Sequence, residues 1–141
     1  MFTINLTRNK FTKTETRGTL TDNSGALIGY TIEPASVEKV QMGNVCSLPE
    51  GKYVIELRNN PTAGTPTIKL IGKNASLNSS IRCCRPIGKN NPSITLLSQP
   101  DGSGDPGDID FEAWQRLLLL LTNNSYQLII SSPKGGGQEG L

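Results

Sequence analysis

The chain has 141 residues, a net charge of +2 and only 5% aromatic residues. This length suits one domain with a core of its own. The charges form no basic stripe and the aromatic side chains are too few for base-stacking platforms, so the composition carries no nucleic-acid signature.

Glycine (15 residues) and proline (9 residues) are abundant, whereas hydrophobic content is only 35%. This mixture favours short strands joined by many turns. We predict a mainly β fold: a single compact β-sandwich or barrel-like domain of seven or eight short strands over residues 1–132, with one amphipathic helix near the C-terminus. Residues 133–141 (PKGGGQEGL) are predicted to form a flexible tail.

The first strands are predicted from alternation. Phe2, Ile4 and Leu6 alternate with polar residues, which is typical of a half-buried strand. Residues 8–17 are polar and predict a loop or a ragged edge strand. Residues 22–25 (DNSG) predict a hairpin turn. The strand that follows is predicted to end at Glu33-Pro34, with these residues on one face: Ala26, Ile28, Tyr30 and Ile32.

Later strands are predicted at residues 52–58, 67–71, 94–97 and 126–130. In the first of these, Tyr53, Ile55 and Leu57 share one side. Residues 59–66 (NNPTAGTP) predict a loop.

One helix is predicted from Asp110 to about Thr122, with Asp108 or Asp110 as its N-cap. Apolar residues at three- and four-residue steps predict one buried face: Phe111, Trp114, Leu117, Leu118 and Leu121. The five consecutive leucines widen this face, which indicates a helix that lies across a sheet or is shared with a second subunit. We therefore predict a homo-oligomer formed through the 111–121 helix.

The stretch from Ile71 to Gly88 contains the best local excess of positive charge. We predict that it forms a pocket for a small anionic ligand or a protein partner. The predicted ligand-binding residues are Lys73, Asn74, Arg82, Arg85 and Lys89.

The three cysteines are an odd number, so free thiols are expected rather than a disulfide framework. Cys84 is the candidate nucleophile, because the flanking Arg82 and Arg85 would lower its pKa. The other interpretation is a small buried side chain, and the absence of histidine from the chain favours it. No C-x-x-C spacing occurs, and the acidic residues between 101 and 110 lack the EF-hand spacing. We therefore predict neither a metal nor a cofactor.

The apolar run from Leu117 to Leu121 is too short to span a bilayer, and residues 1–14 alternate rather than form a signal peptide. The expected location is the cytoplasm, or a virion or other phage-associated assembly.

Several segments together resemble one family of small bacterial and phage proteins. These are LTRNKFTKTETRGTL, YTIEP, VCSLPEGKYVIEL and DFEAWQRLLLLL, in order over residues 3–131. The chain resembles the family of domain of unknown function 5675, and CSLPEGKY is similar to its S-C-I-P-E-G-x-Y segment.

That family is similar in pattern to L,D-transpeptidase catalytic domains, which implies a β-sandwich-like domain with a cysteine and histidine site. The resemblance places Cys84 at the nucleophile position and Cys83 at the preceding glycine. The family histidine falls at about residues 71–74 (IGKN), where this chain has none, and arginine cannot accept and return a proton in its place.

The sequence therefore predicts a non-catalytic, phage or prophage-associated binding or structural protein on this scaffold. The alternative is a cysteine acyl-transferase or peptidase acting on cell-wall peptide, with Cys84 as nucleophile.

Overall fold

The computed structural model describes residues 2–35, 46–60, 65–73, 79–82, 93–102 and 109–132. Within them it has eight strands and one helix near the C-terminus, so the predicted mainly β fold is confirmed. The elements in chain order are β1 Phe2–Phe11, β2 Glu15–Thr21, β3 Leu27–Pro34, β4 Gly51–Asn60, β5 Thr65–Ile71, β6 Ser80–Arg82, β7 Ser93–Leu97, α1 Phe111–Asn123 and β8 Tyr126–Ser131. Strand β6 was not predicted.

The strands form a closed barrel in the order β1-β2-β3-β7-β6-β5-β4-β8. Two neighbouring pairs, β1 with β8 and β6 with β7, are parallel, and the other pairs are antiparallel. The barrel closes where β8 inserts between β1 and β4, with Phe2 opposite Tyr126 and Tyr53 opposite Leu128.

The prediction that residues 8–17 form a loop or a ragged edge strand is wrong except for the turn at residues 12–14. Strand β1 continues to Phe11, β2 begins at Glu15, and the two strands pair as far as Phe11 and Thr16. The pairing shifts register between Arg8 and Lys10, which is a β-bulge. Because β2 is paired with β1 on one side and β3 on the other, it is an interior strand of the barrel.

The predicted hairpin turn before β3 is confirmed. The Oδ1 atom of Asp22 accepts hydrogen bonds from the backbone amides of Ser24 (2.8 Å) and Ala26 (3.0 Å). Gly25 adopts a φ of 91°, a conformation that glycine reaches without steric cost. The strand that follows ends at Pro34, also as predicted.

The predicted apolar face of β3 is wrong. The pairing of β2 with β3 shifts register between Leu20 and Thr21, which leaves Ile28 as an extra residue in β3. After this extra residue, Thr31 lies opposite Gly18 and Glu33 lies opposite Thr16. Thr16 is fully buried inside the barrel, so Thr31 and Glu33 also point inward. Alternation then turns the side chains of Tyr30 and Ile32 outward.

The barrel interior is filled mainly by isoleucine and leucine. The largest side chains that are less than 2% exposed are Ile4, Leu6, Leu20, Ile32, Ile68, Leu70, Ile81, Ile94, Leu96, Leu97, Leu117 and Leu128. Most belong to one cluster, whereas Ile32 and Leu97 pack outside the wall with Ile109. Tyr53, Ile55 and Leu57 share one side of β4, as alternation predicted.

Helix α1 closes one end of the barrel, which we call the helix end. The carboxylate of Asp110 caps it by accepting a hydrogen bond from the Ala113 amide at 2.9 Å, as predicted. The helix packs against β3, β4 and β7, and a Cβ atom added to Gly29 would lie 3.2 Å from the Ala113 Cβ. The predicted burial of Phe111 is wrong, since this side chain is 57% exposed.

The buried stripe of α1 consists of Ala113, Leu117 and Leu121. Phe111 precedes Ala113 by two residues and therefore lies about 200° around the helix from it. Trp114 and Leu118 pack partly against the core, and Leu119 is exposed. The predicted tail, residues 133–141, lies outside the described residues.

Candidate functional site

Two of the predicted ligand-binding residues lie among the described residues. Lys73 is exposed in the turn after β5. Arg82 ends β6, is half-buried, and its Nε donates a hydrogen bond to the Ser80 Oγ at 3.0 Å. The other candidates lie outside the described residues, so their roles stay predictions: Asn74, Cys83, Cys84, Arg85 and Lys89.

Lys73 and Arg82 lie in different parts of the barrel surface. Ile68 pairs with Ile81, so Arg82 lies beside position 67. The strand β5 continues from there for four more residues to Ile71, a distance of about 13 Å, and Lys73 is farther still.

The neighbour of Lys73 is Lys52. Val54 pairs with Ile71, and a Cβ atom added to Gly72 would lie 3.3 Å from the Lys52 carbonyl oxygen. The chain therefore stays beside β4 after β5 ends, and the continued register places Lys73 next to Lys52. Both side chains are exposed.

Two apolar side chains lie next to these lysines on the outer surface. Val54 is 46% exposed and Ile71 is 40% exposed, and the two are directly paired across β4 and β5. We call the surface formed by Lys52, Val54, Ile71 and Lys73 the lysine face.

Within the described residues, neither lysine of this face has a carboxylate partner. The nearby carboxylates are engaged elsewhere: Glu50 accepts hydrogen bonds from the Ser132 amide and hydroxyl, and Glu56 pairs with Arg58. Like charges on neighbouring strands repel one another, so the lysine face is a site of unbalanced positive charge.

The other concentration of charge is buried inside the barrel, at the end opposite α1. The Nε and Nη2 atoms of Arg8 donate hydrogen bonds to the Glu33 carboxylate at 3.0 and 2.7 Å. The side chains are only 3% and 2% exposed. Burial raises the pKa of Glu33, and the positive charge and hydrogen bonds of Arg8 act in the opposite direction.

Tyr53 lies close enough to this pair to be influenced by both charges. Burial raises the pKa of Tyr53, Arg8 opposes that shift, and Glu33 adds to it. The Tyr53 hydroxyl donates a hydrogen bond to the Pro49 carbonyl at 2.6 Å. Residues 46–50 thus lie against this end of the barrel, and the Ser47 amide is bonded to the Ala35 carbonyl.

Two hydroxyl groups in the same region have no hydrogen-bond partner among the described residues, the Oγ1 atoms of Thr16 and Thr31. Thr16 is directly opposite Glu33, and Thr31 is opposite Gly18, which in turn pairs with Arg8. These residues form a polar cluster inside the wall rather than an open pocket lined by free acids and bases.

The described part of the chain offers little for nucleophilic or metal chemistry. Cys46 is a free, half-buried thiol. Among the described residues, no group of three histidine, cysteine, aspartate or glutamate side chains is placed to hold a metal ion. The same residues include no helix with the length and apolar character needed to cross a membrane.

No family model, curated protein or solved structure matches this chain.

Sequence reasoning identified Lys73 but missed Lys52, Arg8 and Glu33. The outward direction of Lys52 could have been read from its alternation with Tyr53, but its position beside Lys73 depends on the register of β4 with β5. Arg8 and Glu33 were assigned to a polar loop and to a strand end, and no local pattern links residues that are 25 positions apart.

Proposed function

We propose that this protein is a non-catalytic binding or structural protein whose lysine face binds an acidic partner or a small anionic ligand. The observation that supports this proposal is the exposed pair of Lys52 and Lys73, which has no carboxylate partner among the described residues. The association with a phage or prophage is supported by the sequence resemblance over residues 3–131.

An anion at the lysine face would remove an unfavourable interaction as well as add favourable ones. Two unit charges 4 Å apart in water interact by about 1 kcal/mol, which is the upper bound for the repulsion between these two exposed lysines when the face is free. A carboxylate or phosphate between them would attract both. The adjacent Val54 and Ile71 offer apolar contact to the same ligand.

Support for a non-catalytic protein comes from the arrangement of the interior groups. Arg8 and Glu33 bind each other, and the hydroxyl of Tyr53 is bonded to the backbone. None of the three has both access to solvent and a free proton-accepting atom, which a general base requires. The chain also contains no histidine.

Binding can be tested with two probes, fluorescein-labelled poly-L-glutamate as an acidic chain and inorganic phosphate as a small anion. Anisotropy should report poly-L-glutamate binding, and amide chemical shifts should report phosphate binding at residues 52 and 73. Replacing both lysines (Lys52→Gln, Lys73→Gln) should weaken binding about tenfold, because each exposed ion pair contributes up to about 1 kcal/mol. Higher salt should weaken the wild-type interaction as well.

The matched control replaces two exposed lysines of the β1–β2 hairpin, Lys10→Gln and Lys13→Gln. This variant has the same net charge as the double lysine-face variant. Equal loss of binding in both variants would mean that only the overall charge matters, and the proposed site would be wrong.

A further inference from the structure

The exposed surface of α1 has properties complementary to those of the lysine face. Phe111 and Leu119 are 57% and 65% exposed, and Glu112 is exposed beside Phe111. The carboxylate of Asp110 is engaged as the helix cap, whereas Glu112 has no basic partner among the described residues. The beginning of the helix thus combines an exposed aromatic ring with an unpaired negative charge.

These two surfaces lie on different parts of the barrel. The amide of Asp110 donates a hydrogen bond to the Leu96 carbonyl, near the last residue of β7. Strand β6 separates β7 from β5 and β4, the two strands of the lysine face, and Lys52 is three residues before Ile55, which lies opposite Tyr126 at the helix end. A single barrel therefore cannot join its own two surfaces, but one copy can present either surface to another copy.

We propose that the lysine face of one copy binds the beginning of α1 of a second copy. Glu112 lies between Lys52 and Lys73 in this arrangement, and the ring of Phe111 covers Val54 and Ile71. The inference rests on the proposed function, because it names the acidic partner of the same face.

The dimensions of the lysine face suit this arrangement. In each of the two chain segments of this face, the lysine and the apolar residue are two positions apart, which is about 6.6 Å. Charge and apolar contact therefore occur side by side, as they do at Glu112 and Phe111. A flat anionic surface fits less well, because the next outward residue of β4 is the negatively charged Glu56.

The contact is heterologous, since two different surfaces of the chain meet. Repetition of such a contact gives a ring if the rotation closes and an open chain if it does not. This geometry makes the protein a unit of a multimer assembled head to tail.

Two variants test the inference by sedimentation equilibrium. The first, with Lys52→Glu and Lys73→Glu, retains the normal helix surface. The second, with Phe111→Ser and Glu112→Gln, retains the normal lysine face. The wild-type protein should form multimers that grow with concentration, and each variant alone should self-associate at least about tenfold more weakly.

The decisive sample is an equimolar mixture of these two variants. The helix surface of the first variant can bind the lysine face of the second variant. The two surfaces that stay free in the resulting dimer both carry substitutions, so it cannot bind a further copy. The mixture should therefore form dimers and nothing larger. The control variant Lys10→Glu, Lys13→Glu should assemble like the wild-type protein.

Circular dichroism and thermal unfolding establish that each variant is folded. If the helix variant is not, the milder pair Phe111→Ala and Glu112→Gln takes its place. A wild-type protein that stays monomeric, or a mixture that does not dimerise, overturns the inference. Multimers that persist in the lysine-face variant also overturn it, and indicate contact between two helices. Poly-L-glutamate binding by a monomeric wild-type protein would leave the proposed function standing.

Discussion

The strongest prediction concerns the buried ion pair, and the change is Glu33→Gln. This substitution keeps the size of the side chain but removes its negative charge, so the guanidinium of Arg8 stays inside the barrel without a counter-ion. In the wild-type protein the Glu33 carboxylate accepts both hydrogen bonds from Arg8, at 3.0 and 2.7 Å, and the two side chains are 3% and 2% exposed.

The expected cost follows from this burial. Removing one partner of a buried ion pair usually destabilises a protein by about 3–5 kcal/mol, because the other charge is left uncompensated. A domain of this size has about 5–15 kcal/mol of total stability, so Glu33→Gln should remove a large fraction of it. Replacing both residues by apolar ones of similar volume, Arg8→Met and Glu33→Leu, should leave the stability nearly unchanged or raise it by about 1–4 kcal/mol.

The measurement is equilibrium unfolding in urea at neutral pH for the wild-type protein, Glu33→Gln, Arg8→Met, Glu33→Leu and the Arg8→Met, Glu33→Leu double variant. The free energies of unfolding of the wild type and the last three variants form a double-mutant cycle that isolates the interaction between the two residues. The exposed pair of Arg58 and Glu56 provides a matched control, for which Glu56→Gln should cost less than about 1 kcal/mol. If Glu33→Gln costs no more than Glu56→Gln, the inferred burial of the charges is wrong.

Two further predictions concern the same region. Gly18→Ala should destabilise the protein by about 1–3 kcal/mol in urea unfolding, since the added Cβ atom would lie 2.5 Å from the backbone oxygen of Thr7; an unchanged midpoint would contradict the close approach. Thr31→Val should be neutral or stabilising by up to about 1 kcal/mol, because the hydroxyl that it removes has no partner among the described residues; a loss above about 1 kcal/mol in the same assay would show that the hydroxyl is bonded.

The interior polar cluster also explains why the strand β3 misled the sequence interpretation. The segment from Ala26 to Ile32 contains apolar side chains at every second position, which predicts a single apolar face. The extra residue Ile28 reverses the alternation, so Glu33 turns inward, where Arg8 neutralises its charge. Neither the bulge nor the ion pair has a local sequence signal, because each depends on the partner strand.

The sequence by itself determined the features that arise from local physical chemistry. Alternation of side chains predicted the inward face of β4, the Asp22–Gly25 turn chemistry predicted the hairpin, and Asp110 was a correct helix cap. It also identified Lys73 as a candidate for anion binding. These features depend on residues only a few positions apart, whose geometry is fixed by the backbone.

Only the tertiary structure decided how the strands combine. Closure of the barrel by β8, the pairing of Arg8 with Glu33, and the position of Lys52 beside Lys73 depend on the register between distant strands. A shift of one residue in any register would turn every side chain of that strand to the other face. The choice among registers is made by packing of the whole core, so the lysine face could not be read from either strand alone.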